Sequence, residues 1–389
     1  MDYGKLISKT VADIKPSGIR KFFDLLDGRR DVISLTVGQP DFPTPWHVRE
    51  TGIISLERGY TYYTSNAGTM PLREELSKYM KRRFGLDYSA KDGIIVTVGG
   101  SEAIDLAIRA TVEPGDEVLI PEPSFVCYEP IVRLCGGTPV IIETHAENGF
   151  KLTAEQVKRA LTDRTKLLIL PYPNNPTGAV MTKEELEPIA KVLRPTNVAV
   201  LSDEIYSELT YGMRHTSIAA LDGMKERTVV VNGFSKAYSM TGWRLGFTCA
   251  PAEITRQMLK IHQFAIMCAP TTSQLAAVEA LKNGDADIEM MRAEYDRRRK
   301  YIVEELNRMG IPCFEPKGAF YVFPYIGKFG LSSDEFCEKL INEGKVAIVP
   351  GTAFGKCGEG FARISYAYSV NHISEALSRL EKFILQLDK

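Results

Sequence analysis

The most informative part of the chain reads Ser235-Lys236-Ala237-Tyr238-Ser239-Met240-Thr241-Gly242-Trp243-Arg244-Leu245-Gly246. It follows an apolar run at residues 228–231 that predicts a buried strand. Burying an ammonium group costs on the order of several kcal/mol unless the group is paired or used chemically. A solvated lysine in a surface turn is the simpler interpretation of Lys236, but it leaves the Gly-Trp-Arg-Leu-Gly sequence unexplained. The alternative is a lysine that forms a Schiff base with an aldehyde whose phosphate Arg244 binds.

Length and composition predict an ordinary globular protein. The chain has 389 residues, 44% hydrophobic and 25% charged, which is enough for two domains with separate cores. Because 48 basic and 49 acidic side chains nearly cancel, neither nucleic acid nor an anionic membrane surface is expected as a partner. No apolar run reaches the roughly 18 residues of a membrane span, and the first residues lack a signal-peptide core. We therefore expect a cytoplasmic protein.

The cysteines and histidines do not predict a metal site. Seven cysteines are scattered without a Cys-x-x-Cys pair, which argues against a disulfide framework or a zinc site and fits a reducing compartment. The five histidines are also dispersed, so no metal cluster is expected.

Strand and helix patterns alternate along most of the chain. Apolar runs typical of buried strands occur at residues 94–98, 117–120, 140–142, 166–170, 198–201 and 228–231, and helical patterns occur at residues 71–84 and 101–111. Apolar strands separated by helices predict a largely parallel sheet covered on both faces. We therefore expect an α/β fold, with a large three-layer α/β/α domain over residues 46–282.

The pattern changes near residue 283. A long, charged, amphipathic helix is predicted from there to residue 309, followed by a helix at 333–343, strands at 346–349 and 361–365, and a last helix at 373–387. Near the other end, a helix is predicted at residues 17–26 and a short strand at 32–35. We expect residues 1–45 and 283–389 to form a smaller α/β domain built from both chain ends.

Polar side chains that can bind a ligand directly follow two of the predicted strands. Asp203 and Tyr206 come after the strand at 198–201, and Asn175 lies in a Pro/Asn/Gly turn after the strand at 166–170. Ligands of open α/β sheets gather at the carboxyl ends of the strands, where Asp203 can hold a heteroaromatic nitrogen protonated. Tyr206 can hydrogen-bond an oxygen on the same ring. A helix N-cap for Asp203 and a plain turn around Asn175 are the simpler alternatives.

Glycines open the helix that follows the strand at residues 94–98, in the sequence Val98-Gly99-Gly100-Ser101-Glu102-Ala103. Free backbone N–H groups and the helix dipole favour an anion such as phosphate there, although a turn with an N-cap is the more ordinary explanation.

Three further residues have both a structural and a functional interpretation. Gly38 lies in a Gly/Pro-rich segment, which is either a stiff linker or a place where backbone approaches a ligand closely. Phe125 is either a core residue or a flat surface for a planar ring. Arg363 lies among apolar residues in a predicted strand, and a buried arginine needs a carboxylate from the protein or a substrate.

Taken together, these motifs resemble those of the fold-type I, pyridoxal-5′-phosphate-dependent aminotransferases of class I and II. In chain order they are Gly38-Gln39-Pro40-Asp41-Phe42, Tyr63-x-x-x-Ala67-Gly68, Gly100-Ser101-Glu102-Ala103, Asn175-Pro176-Thr177-Gly178, Asp203-Glu204-Ile205-Tyr206, the stretch from Ser235 to Gly246, and Arg363-Ile364-Ser365. Each motif alone is modest evidence, whereas all of them in the right order, nearly end to end, are strong. The resemblance implies a ping-pong enzyme that moves an amino group from an L-amino acid to a 2-oxo acid.

The resemblance also implies a role for each matched residue. Lys236 would bond to the cofactor aldehyde and move the proton between the substrate α-carbon and cofactor C4′, while Asp203 would pair with the pyridine nitrogen. Arg363 would bind the substrate α-carboxylate. The remaining implied contacts are the phosphate with Gly100, Ser101, Glu102, Ala103, Ser235 and Arg244, the 3′-oxygen with Asn175 and Tyr206, the ring face with Phe125, and the carboxylate with Gly38 and Asn175. Tyr63 would reach the phosphate of a neighbouring subunit, which implies a homodimer with shared active sites.

The substrate is left open by the residues. Ile19 and Phe354 are expected to line a side-chain pocket that favours apolar or aromatic groups. Within the family, the chain resembles the bacterial branch that contains aromatic and N-acetyl-diaminopimelate aminotransferases. An aromatic, aspartate-type or N-acetyl-diaminopimelate-type donor is therefore expected, with 2-oxoglutarate as acceptor. In one departure from several relatives, Gly233 replaces a serine three positions before the lysine, so phosphate binding would rest more on Ser235 and Arg244.

Two other functions use the same scaffold. A carbon–sulfur β-lyase would need Lys236 and Asp203 as well, so it remains the alternative. A cofactor-sensing transcription regulator is disfavoured, because such proteins carry an added N-terminal DNA-binding domain and the net charge here is -1.

Overall fold

Helices and strands alternate through the chain. The computed structural model describes residues 1–16, 18–19 and 28–387. The helices are Tyr3–Leu6 (α1), Lys9–Asp13 (α2), Trp46–Glu57 (α3), Met70–Phe84 (α4), Gly99–Thr111 (α5), Tyr128–Leu134 (α6), Ala154–Ala160 (α7), Lys183–Leu193 (α8), Ala252–Ala265 (α9), Thr271–Asn283 (α10), Asp285–Arg308 (α11), Ser333–Lys339 (α12) and Val370–Leu387 (α13). The strands are Ile33–Ser34 (β1), Ile94–Thr97 (β2), Glu117–Glu122 (β3), Thr138–Glu143 (β4), Thr165–Leu170 (β5), Ala199–Asp203 (β6), Thr228–Gly233 (β7), Gly246–Cys249 (β8), Tyr321–Val322 (β9), Val346–Ala347 (β10), Val349–Pro350 (β11) and Ala362–Ser365 (β12).

A seven-stranded sheet forms the centre of the molecule, in the strand order β2-β8-β7-β6-β5-β3-β4. β8 is antiparallel to β2 and β7, and the other neighbouring pairs are parallel. In register, Asp203 lies opposite Val231, and Leu170 lies opposite Ser202. The α/β fold with a mostly parallel sheet is therefore confirmed. The antiparallel β8, which begins where the Ser235 stretch ends, was not among the predicted strands.

Each face of the sheet packs into a different hydrophobic core. On β7, Val230 packs on one side, whereas Val229 and Val231 pack on the other. Ile94 and Ile95 divide between the same two cores on β2. Because both faces are covered, the strands have near-continuous apolar sequences instead of alternating ones.

Local sequence signals set the ends of α4. Pro71 lies in its first turn, where a missing backbone N–H costs nothing. Gly85 ends it in the left-handed region, with φ of 70°. The predicted helix at residues 71–84 is correct to within one residue for this reason.

The predicted strand at 346–349 is two short strands in different sheets. β10 pairs in parallel with β1, so Ile33 lies opposite Val346 and the early chain lies beside the late chain. β11 pairs with β12, which also pairs with β9, in an antiparallel three-stranded sheet. The helix predicted at 333–343 ends as α12 at Lys339 and continues as a π-helical turn, Leu340–Gly344. The long helix predicted near residue 283 is α11.

Two further expectations concern the N-terminal helix and a membrane span. The helix expected at residues 17–26 lies outside the described residues except for Gly18 and Ile19. Within the described ranges, no helix has the length and apolar character needed to cross a membrane.

Candidate active site

The carboxyl ends of the parallel strands surround a cavity of about 360 Å³. Its walls come from the turns after β2, β3, β5, β6 and β7, together with residues from the N-terminal segment and from β12. The predicted site residues that line it are Ile19, Gly38, Gly100, Ser101, Phe125, Asn175, Asp203, Tyr206, Ser235, Lys236, Arg244 and Arg363. The topology therefore brings residues from distant parts of the sequence to one place.

Lys236 lies directly after β7 and faces this cavity. Its Nζ donates a hydrogen bond to the carbonyl oxygen of Gly38 at 2.6 Å. The amine also lies 5.8 Å from the ring centroids of both Tyr206 and Phe320. Burial, reinforced by the positive charges of Arg363 and Arg244, lowers the pKa of Lys236 to about 8. At pH 7 about one amine in ten is therefore unprotonated, far more than for an ordinary lysine, and this neutral form is the one that a nucleophile or base requires.

Asp203 ends β6 with its carboxylate in the cavity wall. Its Oδ1 accepts the backbone N–H of Ile205 at 3.2 Å, and its Oδ2 accepts the phenol O–H of Tyr128 at 2.7 Å. Burial raises the pKa of Asp203 to about 6, although these two hydrogen bonds oppose the rise by favouring the carboxylate. The group is therefore charged at neutral pH and can pair with a protonated ring nitrogen.

The N-terminus of α5 and Arg244 form a corner that is suited to an anion. Gly99 has φ of 78°, and a Cβ atom there would lie 2.6 Å from Nη2 of Arg244. A Cβ atom on Gly246 would lie 2.6 Å from the carbonyl carbon of Gly99. The left-handed backbone at Gly99 and the backbone contact at Gly246 favour glycine at both positions, so backbone N–H groups and the guanidinium can approach one ligand together. Arg244 donates to the carbonyl oxygen of Thr241 at 3.0 Å.

The side chain of Glu102 makes hydrogen bonds next to this corner. It accepts the backbone N–H of Val98 and hydrogen-bonds Nδ1 of His262 at 2.6 Å. Glu102 and Ala103 were expected to bind phosphate through their backbones, but neither lines the cavity. His262, on α9, gave no functional signal in the sequence.

Arg363 is buried on β12, with 3% of its surface exposed. It donates to Oδ1 of Asn175 at 2.9 Å and to the carbonyl oxygen of Thr36 at 2.5 Å. Its guanidinium carbon lies 4.5 Å from the ring centroid of Tyr321 and 4.8 Å from that of Phe354. The buried Nε of Arg363 has no hydrogen-bond partner in the described part of the chain. A fixed guanidinium with unused N–H groups is suited to binding a substrate carboxylate.

Tyr206 and Phe125 complete the cavity. The hydroxyl groups of Tyr206 and Tyr321 hydrogen-bond each other at 2.8 Å. Burial holds the pKa of Tyr206 well above its ordinary value, so it stays a neutral phenol. Phe125 meets the ring of Tyr128 edge to face, with centroids 6.1 Å apart.

Tyr63 lies away from the cavity on the surface, with 75% of its area exposed. The single chain therefore does not bring it to the site. Tyr128 and Tyr321 lie in the cavity wall but were not predicted. Tyr128 follows Phe125 by three positions, yet nothing in the local sequence distinguishes it from a core tyrosine.

The departure at Gly233 has a steric reason. A Cβ atom there would lie 3.0 Å from Cδ1 of Ile205 and 3.1 Å from Cα of Gly246. A serine would therefore be crowded against two neighbouring chain segments.

These donors fit pyridoxal 5′-phosphate. The cavity offers an amine, a carboxylate that can pair with a ring nitrogen, a flat aromatic side chain and a corner for phosphate, and the glycines of that corner leave no room for a Cβ atom. In addition, the described residues contain no group of three or more His, Cys, Asp or Glu side chains arranged to bind a metal.

Comparisons with known proteins agree with this donor set. The chain is 56% identical over 378 residues to "Putative aminotransferase YugH" of Bacillus subtilis (strain 168), covering 97% of this chain and 98% of that protein. It is 48% identical to "Probable N-acetyl-LL-diaminopimelate aminotransferase" of the same strain, covering 98% and 96%. The crystal structure of an aromatic aminotransferase from Pyrococcus horikoshii OT3 superposes with a TM-score of 0.90 at 46% identity, covering 94% of this chain and 99% of that one.

The family model for aminotransferase class I and II matches residues 30–380. Its members use pyridoxal 5′-phosphate to exchange amino groups between amino acids and 2-oxo acids, and the relatives' names favour this reaction over the lyase alternative. Since the match includes both the lysine and the arginine of the cavity, the chain belongs to the class I and II pyridoxal-phosphate-dependent aminotransferases.

Proposed function

We propose that this aminotransferase takes its amino group from an L-amino acid with an aromatic or apolar side chain and passes it to 2-oxoglutarate. One observation carries the proposal. The cavity holds a lysine amine and a buried arginine with unused N–H groups, and the side chains beside that arginine are largely apolar or aromatic.

The side-chain pocket supports the choice of donor. Ile19, Val37 and Tyr321 line the cavity, and Phe354, which is not among the lining residues, contacts the Arg363 guanidinium as Tyr321 does. Among the described lining residues, the cationic side chains are Lys236, Arg244 and Arg363, and each has a role in the proposed reaction. An aromatic ring would bury apolar area here at no cost in unpaired charge. Gln39 and Thr241 can hydrogen-bond the distal carboxylate of 2-oxoglutarate.

Lys236 is proposed to be the catalytic lysine. When bound, pyridoxal phosphate supplies an aldehyde for the amino group and a ring that withdraws electrons from the substrate α-carbon. Lys236 Nζ would hold the cofactor through that aldehyde, with loss of water, and would accept the α-carbon proton of the substrate. Its pKa of about 8 keeps enough neutral amine for both steps.

Other cavity residues are proposed to hold the cofactor. Asp203 pairs with the ring nitrogen and keeps it protonated. Phe125 stacks on the ring, and Tyr206 donates to its 3′-oxygen. Asn175 can also donate to that oxygen through Nδ2, because Arg363 occupies its Oδ1. The phosphate binds Gly100, Ser101, Ser235 and Arg244, with the backbones of Glu102 and Ala103 at the next positions of α5.

Arg363 is proposed to bind the α-carboxylate through a two-bonded fork, with the backbone of Gly38 and the amide of Asn175 assisting. The contact with Thr36 and the two flanking rings hold the guanidinium in one orientation. Less side-chain freedom is then lost when the substrate binds.

A homodimer with shared active sites is also proposed. Tyr63 is exposed by 75%, and other large apolar or aromatic side chains are exposed as well, among them Trp46, Ile53, Leu56, Tyr62 and Phe264. A protein interface would cover such side chains. In the dimer, Tyr63 of one subunit would reach the phosphate of the other. We further propose that residues 46–282 form the large domain, with residues 1–45 and 283–389 forming the small one, as the pairing of β1 with β10 suggests.

A half-reaction screen tests the proposed substrate class. Holoenzyme is mixed with single amino acids, and the loss of its visible cofactor absorbance is followed without an acceptor. Phenylalanine, tyrosine and leucine should react with a kcat/KM at least about tenfold above that of aspartate, since burying one aromatic side chain is worth about 1.5–3 kcal/mol. A preference for aspartate, or for N-acetyl-diaminopimelate, would reject the apolar donor.

A further inference from the structure

Tyr128 makes a buried hydrogen bond to the carboxylate at the centre of the site. Its O–H donates to Oδ2 of Asp203 at 2.7 Å, and only 1% of the Tyr128 surface is exposed. Tyr128 begins α6, whereas Asp203 ends β6, so the bond joins elements 75 residues apart. Burial and the Asp203 charge hold the pKa of Tyr128 well above its ordinary value, so the phenol remains a donor.

Few groups restrain Asp203 besides this phenol. Oδ1 accepts the backbone N–H of Ile205 at a longer 3.2 Å. Among the described residues, Tyr128 is the side chain that hydrogen-bonds Asp203. The charged groups that face the carboxylate are Glu204, the residue after β6, and Lys236 across the cavity, and the neutral Cys127 and Tyr206 also lie near it. Rotation of the carboxylate is therefore limited chiefly by Tyr128.

The same tyrosine also contacts the aromatic side chain proposed to stack on the cofactor. The rings of Phe125 and Tyr128 meet at 83°, with centroids 6.1 Å apart. Phe125 is only partly buried, so this edge-to-face contact restricts its ring. One residue thus contacts both groups that would fix the cofactor ring.

We propose that Tyr128 is a positioning residue, which orients the Asp203 carboxylate toward the ring nitrogen and supports the Phe125 ring against the ring face. The inference rests on the proposed role of Asp203. Tyr128 lines the cavity but acts through these two side chains. Its hydroxyl also keeps Asp203 ionised when burial would favour the neutral acid, and a neutral acid cannot pair with a protonated ring nitrogen.

The test uses Tyr128→Phe, which keeps the ring and its contact with Phe125 but removes the hydroxyl. The dissociation constant of pyridoxal 5′-phosphate is measured by titrating apoenzyme from pH 5 to 8. A hydrogen bond to a charged group is worth about 1.5–3 kcal/mol, so the constant should rise at least about tenfold at pH 7. Because the carboxylate loses a stabilising donor, the pH below which affinity falls should move upward by about one unit.

Tyr79→Phe is the matched control. Tyr79 is also buried, and its hydroxyl donates to Oε1 of Glu208 at 2.6 Å outside the cavity. This variant loses an equivalent tyrosine–carboxylate bond, so its melting temperature should fall while its cofactor affinity and pH profile stay those of the unmodified enzyme. An equal change in both variants would reduce Tyr128 to a general structural role and overturn the inference.

Asp203→Asn separates this inference from the proposed function. If Asp203→Asn leaves cofactor affinity unchanged, the role of Asp203 is wrong and the inference fails with it. If Asp203→Asn weakens binding but Tyr128→Phe does not, only the inference fails. In the double variant, adding Tyr128→Phe to Asp203→Asn should weaken binding by much less than tenfold, because the two residues act as a unit.

Discussion

Nζ of Lys236 lies 2.6 Å from the carbonyl oxygen of Gly38, although the two residues are 198 positions apart. A Cβ atom at Gly38 would lie 2.2 Å from the hydroxyl oxygen of Tyr321. The N-terminal segment can therefore reach the lysine only because residue 38 has no side chain. Gly38, in the segment before α3, therefore lies against both Lys236 and Tyr321, and the ring of Tyr321 in turn contacts Arg363.

Replacing Lys236 with alanine should abolish turnover. The variant lacks both the amine that bonds to the aldehyde and the base that takes the α-carbon proton, so kcat should fall by at least about 1000-fold. Holoenzyme absorbance and steady-state transamination provide the measurements. Lys260→Ala, which removes an exposed lysine bonded to Gln257, should behave like the unmodified enzyme. Full activity in Lys236→Ala would refute the assignment.

Arg363→Lys should weaken substrate binding far more than cofactor binding. Lysine keeps the positive charge but cannot form the two-bonded fork. A loss of about 3 kcal/mol corresponds to a fall in kcat/KM of roughly 100-fold, expressed chiefly in KM. The dissociation constant of pyridoxal phosphate should stay within about twofold, because Arg363 is assigned to the substrate. A fall in cofactor affinity with an unaltered KM would mean that Arg363 binds the cofactor and not the substrate.

The reaction of the lysine with the cofactor should depend on pH. With a pKa of about 8, Lys236 is mostly protonated below that pH, and its neutral fraction rises until the pH exceeds the pKa. The rate at which apoenzyme bonds to pyridoxal phosphate should therefore rise about tenfold from pH 6 to 7 and level off above roughly pH 8.

Arg363→Met supplies the control for that profile. The charge of Arg363 lowers the pKa of Lys236. Its removal should therefore raise the pH at which the rate levels off. Stopped-flow absorbance measures both profiles. If the rate levels off at the same pH in both proteins, Arg363 does not affect the pKa of Lys236.

Gly99→Ala tests the phosphate corner. The new Cβ atom would lie 2.6 Å from Nη2 of Arg244, in a residue with φ of 78°. Cofactor affinity should fall by about tenfold or more, and the free energy of unfolding should fall by about 1–2 kcal/mol. Gly115→Ala is the matched control, because its φ is 97° and nothing lies within 4 Å of the added carbon. It should lose stability but keep cofactor affinity, as followed by calorimetry and cofactor titration.

Tyr63→Phe tests the shared site. If Tyr63 donates to phosphate across a dimer interface, removing its hydroxyl should raise the dissociation constant of the cofactor about tenfold without changing the dimer mass. Tyr62→Phe removes the hydroxyl of the exposed neighbour and should have no such effect. Sedimentation gives the mass. A monomer with full cofactor affinity would contradict the proposed dimer.

Much of the fold follows from the sequence, because parallel strands buried on both faces have apolar sequences that differ clearly from helical ones. The motifs that contain Asp203 and Lys236 were recognised because each follows such a strand. β8 was not predicted, because it is four residues long and begins inside the Ser235 stretch. The split of residues 346–349 between two sheets depends on long-range pairing that local sequence does not encode.

The site was predicted less completely than the fold. Tyr128 and His262 act through contacts with Asp203 and Glu102 across 75 and 160 residues, and nothing in their local sequence marks those contacts. Tyr321 and Phe354 enclose Arg363 only once β9, β11 and β12 are assembled. Tyr63 requires a second chain, so a single chain leaves it on the surface.

Chemical trapping tests the central claim most directly. Holoenzyme is reduced with borohydride, which makes the bond between lysine and cofactor permanent, and its peptides are mapped by mass spectrometry. The cofactor mass should appear on the peptide that contains Lys236 and disappear after a preceding incubation with a donor amino acid. Cofactor attached to another lysine, or to none, would contradict the account.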